Sequence, residues 1–139
     1  MNATEIKNEY LSFIKENAVF NSITENHTEV ITPFVDPFGE AIGFSIKSDG
    51  KLLTITDDGY TIWNLSVNGV DVTKKGRRRD LLQSLLDYNG FELIEKSIQK
   101  ITTKNQLGQS IHDMTQLLMN VYDFIQLHPN NVKSQFLDD

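Results

Sequence analysis

The 139 residues are enough for one domain with a sizeable core, and 39% apolar with 23% charged residues is a globular composition rather than a disordered one. Net charge is −6 but unevenly spread: residues 74–79 (Lys74, Lys75, Gly76, Arg77, Arg78, Arg79) hold five of the 13 basic side chains, leaving a remainder of net −11 that repels duplex phosphates over most approach directions. Cysteine is absent, which excludes disulfides, thiol nucleophiles and thiolate metal sites. With no basic-then-apolar leader and no apolar run near the roughly 20 residues that span a bilayer, the expectation is a soluble cytoplasmic protein with no membrane partner.

Asn2 and Glu5 stand at capping-box spacing, and Ile6, Tyr10, Phe13 and Ile14 then recur with helical period, so residues 3–16 read as an amphipathic helix. Residues 17–28 read as a polar connection despite Val19, Phe20 and Ile23. Residues 29–34 are rich in branched and aromatic side chains and read as a strand that ends near Pro33 and Pro37. Residues 41–47 and 51–56 flank Ser48-Asp49-Gly50, where Asp-Gly accepts positive φ cheaply, so the pair reads as a hairpin. Ile42, Phe44 and Ile46 alternate with small or polar residues, as do Leu53 and Ile55, which is the pattern of an antiparallel sheet with one dry face.

An acidic turn, Asp57-Asp58-Gly59, follows. Asp58 is placed to cap a short helix over 60–66 that stops at Asn68-Gly69. The basic segment leads into a helix over about 77–88, striped by Leu81, Leu82, Leu85 and Leu86 and stopped by Asn89-Gly90. Residues 91–102 hold one or two strands. Leu107, Ile111, Met114, Leu118, Val121 and Ile125 then step by 4, 3, 4, 3, 4, with Leu117 and Phe124 widening the stripe, and Pro129 ends this last helix. The tail beyond it is polar apart from Phe136 and Leu137. No repeat, low-complexity tract or linker divides the chain. The fold expected is α+β in a single domain: an antiparallel sheet of three to five strands, packed by helices, with the long C-terminal helix as spine.

The run Ile55-Thr56-Asp57-Asp58-Gly59-Tyr60-Thr61-Ile62 resembles the Leu-Thr-Asp-Asp-Gly-Tyr-Thr-Ile pattern of an uncharacterised, DUF1828-like family of bacterial and phage proteins, with Ile55 where Leu is commoner. The likeness extends upstream to Ile31-Thr32-Pro33-Phe34-Val35-Asp36 and downstream to the segment from Arg79 to Tyr88. The resemblance implies a genomic context of bacteria, prophages and mobile elements, and no settled activity.

Four constellations carry chemistry. Asp57 and Asp58, with Asp36 and Glu40 on the adjoining loop, could gather carboxylates for a divalent ion, but Asp-Asp-Gly is also ordinary turn and cap chemistry. The acid-x-Lys spacing of restriction-type nucleases is missing, since Ser45 precedes Lys47. Tyr60 and Trp63 either anchor a partner or pack beneath the sheet with Ile62, and packing is the commoner fate of such rings. Lys74, Lys75, Arg77, Arg78 and Arg79 suit phosphates or an acidic protein surface, against a plain solvated loop. His27, His112 and His128 have no zinc-pair spacing, and no phosphate loop, dinucleotide fingerprint or nucleophile elbow occurs. The seam of the last helix serves the core or a homodimer, with Leu117, Tyr122 and Phe124 as its surplus apolar positions.

The reading that follows is a non-catalytic, cofactor-free binding module of a phage or mobile element. Its concrete form is a counter-defence, anti-CRISPR-like inhibitor that blocks a large basic host nuclease by protein–protein contact, through Asp57, Asp58, Tyr60, Trp63 and the basic cluster. The alternatives are a metal-dependent nuclease or phosphoryl-transfer enzyme using Asp57 and Asp58, and an accessory domain touching nucleic acid locally through the cluster.

Overall fold

A computed structural model describes residues 1–124. Helix α1 (Ala3–Asn17) leads into six strands and three further helices: β1 (Val19–Thr24), β2 (His27–Val35), β3 (Ala41–Asp49), β4 (Leu52–Thr56), α2 (Tyr60–Val67), α3 (Arg77–Asn89), β5 (Glu92–Ile94), β6 (Ser97–Thr102) and α4 (Leu107–Tyr122). The strands form one sheet in the order β1-β2-β3-β4-β6-β5, and every pairing is antiparallel.

The fold is therefore α+β with a long C-terminal helix, as expected, but the sheet holds six strands rather than three to five. The extra strand is β1, in the segment read as a connection. It sits at the sheet edge with all six residues exposed, so it writes no buried period into the sequence. β2 also runs past Pro33. Its register against β3 shifts between Ile31 and Val35, and the Thr32 hydroxyl donates to the Ile42 carbonyl at 2.7 Å beside the residue that has no N–H to give.

One face of the sheet carries Val30, Phe44, Ile55 and Ile98, all buried. Upon them lie Ile62 and Leu65 of α2, Leu82 and Leu86 of α3, and Met114, Leu117, Leu118 and Val121 of α4. α4 touches β3, β4, α2 and α3, which makes it the expected spine. Leu117, Tyr122 and Phe124 are buried in this core, so the surplus apolar positions of the last helix are spent within the chain rather than on a second copy. Ile125, His128, Pro129, Phe136 and Leu137, on which the seam, helix-end and tail readings rested, lie outside the described residues.

α1 has its capping box: the Asn2 side chain accepts from the Glu5 N–H at 2.9 Å, and Glu5 accepts from the Asn2 N–H at 3.3 Å. Its expected core face is not delivered. No residue of α1 is buried, and Ile6, Tyr10 and Phe13 stand in solvent.

Candidate functional site

The corner between β4 and α2 places the acidic and aromatic residues. Asp57 is buried. One of its carboxylate oxygens accepts from the N–H groups of Gly59 (2.9 Å) and Ile98 (2.8 Å), and the other from the N–H of Thr61 at 3.2 Å. The first and last of those donors are among the orphan amides at a helix start, so the Asp57 carboxylate rather than that of Asp58 satisfies the start of α2, whose N-cap position is Gly59 at φ 82. Burial raises the Asp57 pKa above its ordinary value, against the opposing pull of those N–H donors.

Asp58 faces the other way. At φ 55 it occupies the left-handed region that Asp tolerates better than most residues, and its carboxylate accepts from the Lys47 ammonium at 2.6 Å, both side chains being about half exposed. The neighbouring carboxylates thus do separate work: one closes a buried backbone corner and the other forms a surface ion pair. Asp36 is buried too. Its oxygens accept from the N–H groups of Phe38 and Glu40 and from the Asn64 amide, which also donates to the Tyr122 hydroxyl at 3.1 Å. Asp36 therefore ties the β2–β3 turn to α2 and α4. No group of three or more His, Asp or Glu side chains among the described residues is arranged to hold a metal ion.

Tyr60 and Trp63 are exposed at 42% and 58%, contrary to the core packing that such rings more often show; Thr61 and Ile62 between them are buried. Residues 60 and 63 lie one helical turn apart, and the rings meet at 5.7 Å between centroids. The Tyr60 hydroxyl donates to Glu40 at 2.6 Å, and this bond to a carboxylate is the main reason its pKa is pushed up to about 12. Beside Tyr60 runs a shallow groove of about 400 Å³, lined by Glu29, Glu40, Asp58 and Tyr60 and by Gly43 and Ser45 of β3. Gly43 has a reason to lack a side chain, since a Cβ there would stand 3.0 Å from the Val30 carbonyl oxygen. His27 is engaged at the same sheet face, with Nε2 2.9 Å from the Ser45 hydroxyl.

The basic cluster is carried elsewhere, on the loop before α3 and on its first turn. Lys74 and Lys75 are exposed, Gly76 caps the helix, and Arg77, Arg78 and Arg79 are its first three residues. Asp71 shapes the approach by accepting from the Thr73 N–H and hydroxyl, both at 2.8 Å, which holds its carboxyl below the ordinary value. Three guanidinium groups at a helix start add to the positive end of the dipole rather than offsetting it, while Asp80 in the same turn offsets it in part.

Sequence reasoning found Asp57, Asp58, Tyr60, Trp63 and the cluster but missed Asn64 and Tyr122, which brace the corner. An Asn in the middle of a short apolar helix was the available signal, because such a residue must find partners when buried. The acidic groove was legible in part: Glu40 was expected beside Asp57 and Asp58, whereas Glu29 joins them only because β2 and β3 pair.

No helix of the described residues is long and apolar enough to cross a membrane. Among proteins of known function and among solved structures, none matches this chain. Residues 32–121 match the family model for a domain of unknown function, DUF1828, spanning β2 through most of α4 and including the whole Asp57–Trp63 corner; the chain belongs to that family.

Proposed function

We propose that this chain is a non-catalytic protein-binding module that docks by the acidic, aromatic corner at the start of α2. The observation that carries the reading is the exposed Tyr60–Trp63 pair, braced by the Tyr60–Glu40 hydrogen bond beside a groove lined with carboxylates. Trp and Tyr are the side chains that most often dominate binding energy. Rings already held in place lose little entropy on docking. Carboxylates around them favour a basic partner and speed its approach.

The concrete form is a counter-defence protein of a phage or mobile element, anti-CRISPR-like, that occupies the basic nucleic-acid groove of a host nuclease in the cytoplasm. The commitment of Asp57 to three backbone amides supports binding over metal chemistry at this corner.

The test is a pull-down from nuclease-treated host lysate, with the wild-type chain and a Trp63→Ala variant as paired baits. Capture of one large basic nuclease by the wild type, salt-sensitive and lost with Trp63→Ala, supports the reading and supplies the enzyme for a cleavage-inhibition assay. Capture of nothing, or of proteins that depart with the nucleic acid, overturns it.

A second reading rests on the three arginines in the first turn of α3: an accessory contact to phosphates through Lys74, Lys75, Arg77, Arg78 and Arg79. It predicts a gel shift at moderate salt that charge reversal of Lys74 and Arg79 weakens equally for unrelated sequences, and it fails if no shift appears.

A further inference from the structure

We infer that β1 is a dimerisation edge, at which two copies of this chain pair their β1 strands antiparallel about a two-fold axis near Phe20. The inference is independent of the corner at α2 and uses a part of the molecule that precedes the family-matched span.

An apolar row crosses the sheet and stops unfinished. Phe44 on β3 stands opposite Val30 on β2, which stands opposite Phe20 on β1, and cross-strand partners share a face. The first two are 4% and 1% exposed, whereas Phe20 is 56% exposed. β1 ends the sheet, so among the described residues one side of its backbone has no strand beside it. Natural edges are guarded by Lys, Pro, bulges or a covering element. Val19-Phe20-Asn21-Ser22-Ile23-Thr24 contains neither Lys nor Pro. It does carry one irregularity, between Ser22 and Thr24, which confines regular pairing to Val19–Ser22.

A second copy fits this edge for two reasons. About a two-fold axis, residues near the axis meet their own copies, so any charge there would face itself. β1 has no charged residue in a chain that is 23% charged, a condition that a different partner strand would not impose. The axis also continues the row, setting Phe20 against the partner's Phe20 with Val30 and Phe44 behind each, an aromatic cross-strand pair.

Such an axis, normal to the sheet, keeps like faces together and brings both α1 helices to the same side. There the unburied Ile6, Tyr10 and Phe13, spaced i, i+4, i+7, gain a partner. Phe20 with these three makes four side chains, each about half exposed. At on the order of 200 Å² per bare side chain they offer roughly 400 Å² per partner, the size of a weak interface to which the paired β1 backbones add.

Sedimentation equilibrium on the full chain, at about 100 μM and in dilution series below it, tests this. The wild type is expected at twice the chain mass at the top of the range. Phe20→Lys and Phe20→Glu, each opposing its own charge across the axis, are each expected at the monomer mass, with thermal melts that match the wild type's at dilutions where the wild type is itself monomeric, since Phe20 contributes little to the monomer core. Mixed in equal amounts, the two variants are expected to return to the dimer mass.

A wild type that stays monomeric throughout overturns the inference and leaves the edge to a different protein. Variants that remain dimeric place the interface elsewhere and overturn it too. Monomeric variants whose mixture does not re-associate overturn the two-fold at Phe20. A Tyr10→Ser variant is a second check on the helix, expected to weaken association without moving the melt of the dilute, monomeric protein.

Discussion

The two ends of the sheet are built on opposite terms. From β3 to β6, strands lie under helices, and the apolar side chains on the covered face are buried (Ile42, Phe44, Ile55, Ile98) or packed half-buried against that core (Ile46, Leu93). At β1 and α1 the same residue types, in equally regular elements, bury nothing. Local signals suffice to make a helix or a strand, whereas burial requires a second layer, and only one end of this sheet has one. The N-terminal unit is regular structure whose apolar surface has no cover within the described residues.

Core truncation should break this contrast most sharply. Leu117→Ala, at a fully buried position of α4, is expected to cost about 4 kcal/mol in urea unfolding, while Tyr10→Ala on α1 should stay within about 0.5 kcal/mol. A large loss at Tyr10 would mean that α1 is packed in solution. Next comes the corner. Asp57→Ala strips an acceptor from three backbone amides and should cost about 3 kcal/mol. Asp58→Asn, which removes only one exposed ion pair, should fall within about 0.5 kcal/mol. Equal losses at the two positions would show that the capping assignment is wrong.

At the exposed end, Asn2→Ala removes the capping box and should cost about 1 kcal/mol of helix stability. It is read best as lost ellipticity and faster amide exchange in α1, with the main unfolding transition unmoved. The smallest effect expected is in pH. Asp57 has a raised pKa, so between its folded value and the ordinary 3.8 the folded chain binds more protons than the unfolded one. Its contribution therefore grows as pH falls through the folded pKa. Asp71, held low, does the opposite: its contribution is full above the ordinary value and is lost as pH falls through its folded pKa. Denaturation series from pH 7 to pH 4 on wild type and Asp57→Asn should show an acid-side gain in the wild type that the variant lacks.

Much of the covered end was legible in the sequence. The seam of α4 and the Asp-Gly turn of the β3–β4 hairpin write their burial or backbone geometry as spacing, and the leucine stripe of α3 does so for Leu82 and Leu86 while Leu81 stays exposed. The uncovered end was legible only in part. The capping box announced α1, but its apolar period promised a core contact that does not exist. β1 carries no period because neither of its faces is buried. Residues 91–102 were expected to hold one or two strands, but the β5–β6 turn gave no signal: Glu95 and Lys96 hold φ of 51° and 69° without the Gly or Asn that marks such geometry.

At the corner, the residue types were visible but not the assignment of tasks. Asp57 and Asp58 are equivalent as sequence. They part company only when Ile98, 41 residues on, arrives with an N–H for one of them.

That last bond ties local order to long-range closure. Until β6 has paired with β4, the Asp57 carboxylate lacks its Ile98 donor, and the start of α2 is held by a side chain that is itself unanchored. Formation of α2 should therefore trail closure of the sheet, although α2 follows β4 directly in the chain. In the folded protein, the amide hydrogens of Gly59, Thr61 and Ile98 hang on one carboxylate, so they should exchange with solvent as a single unit, at a rate set by one shared opening.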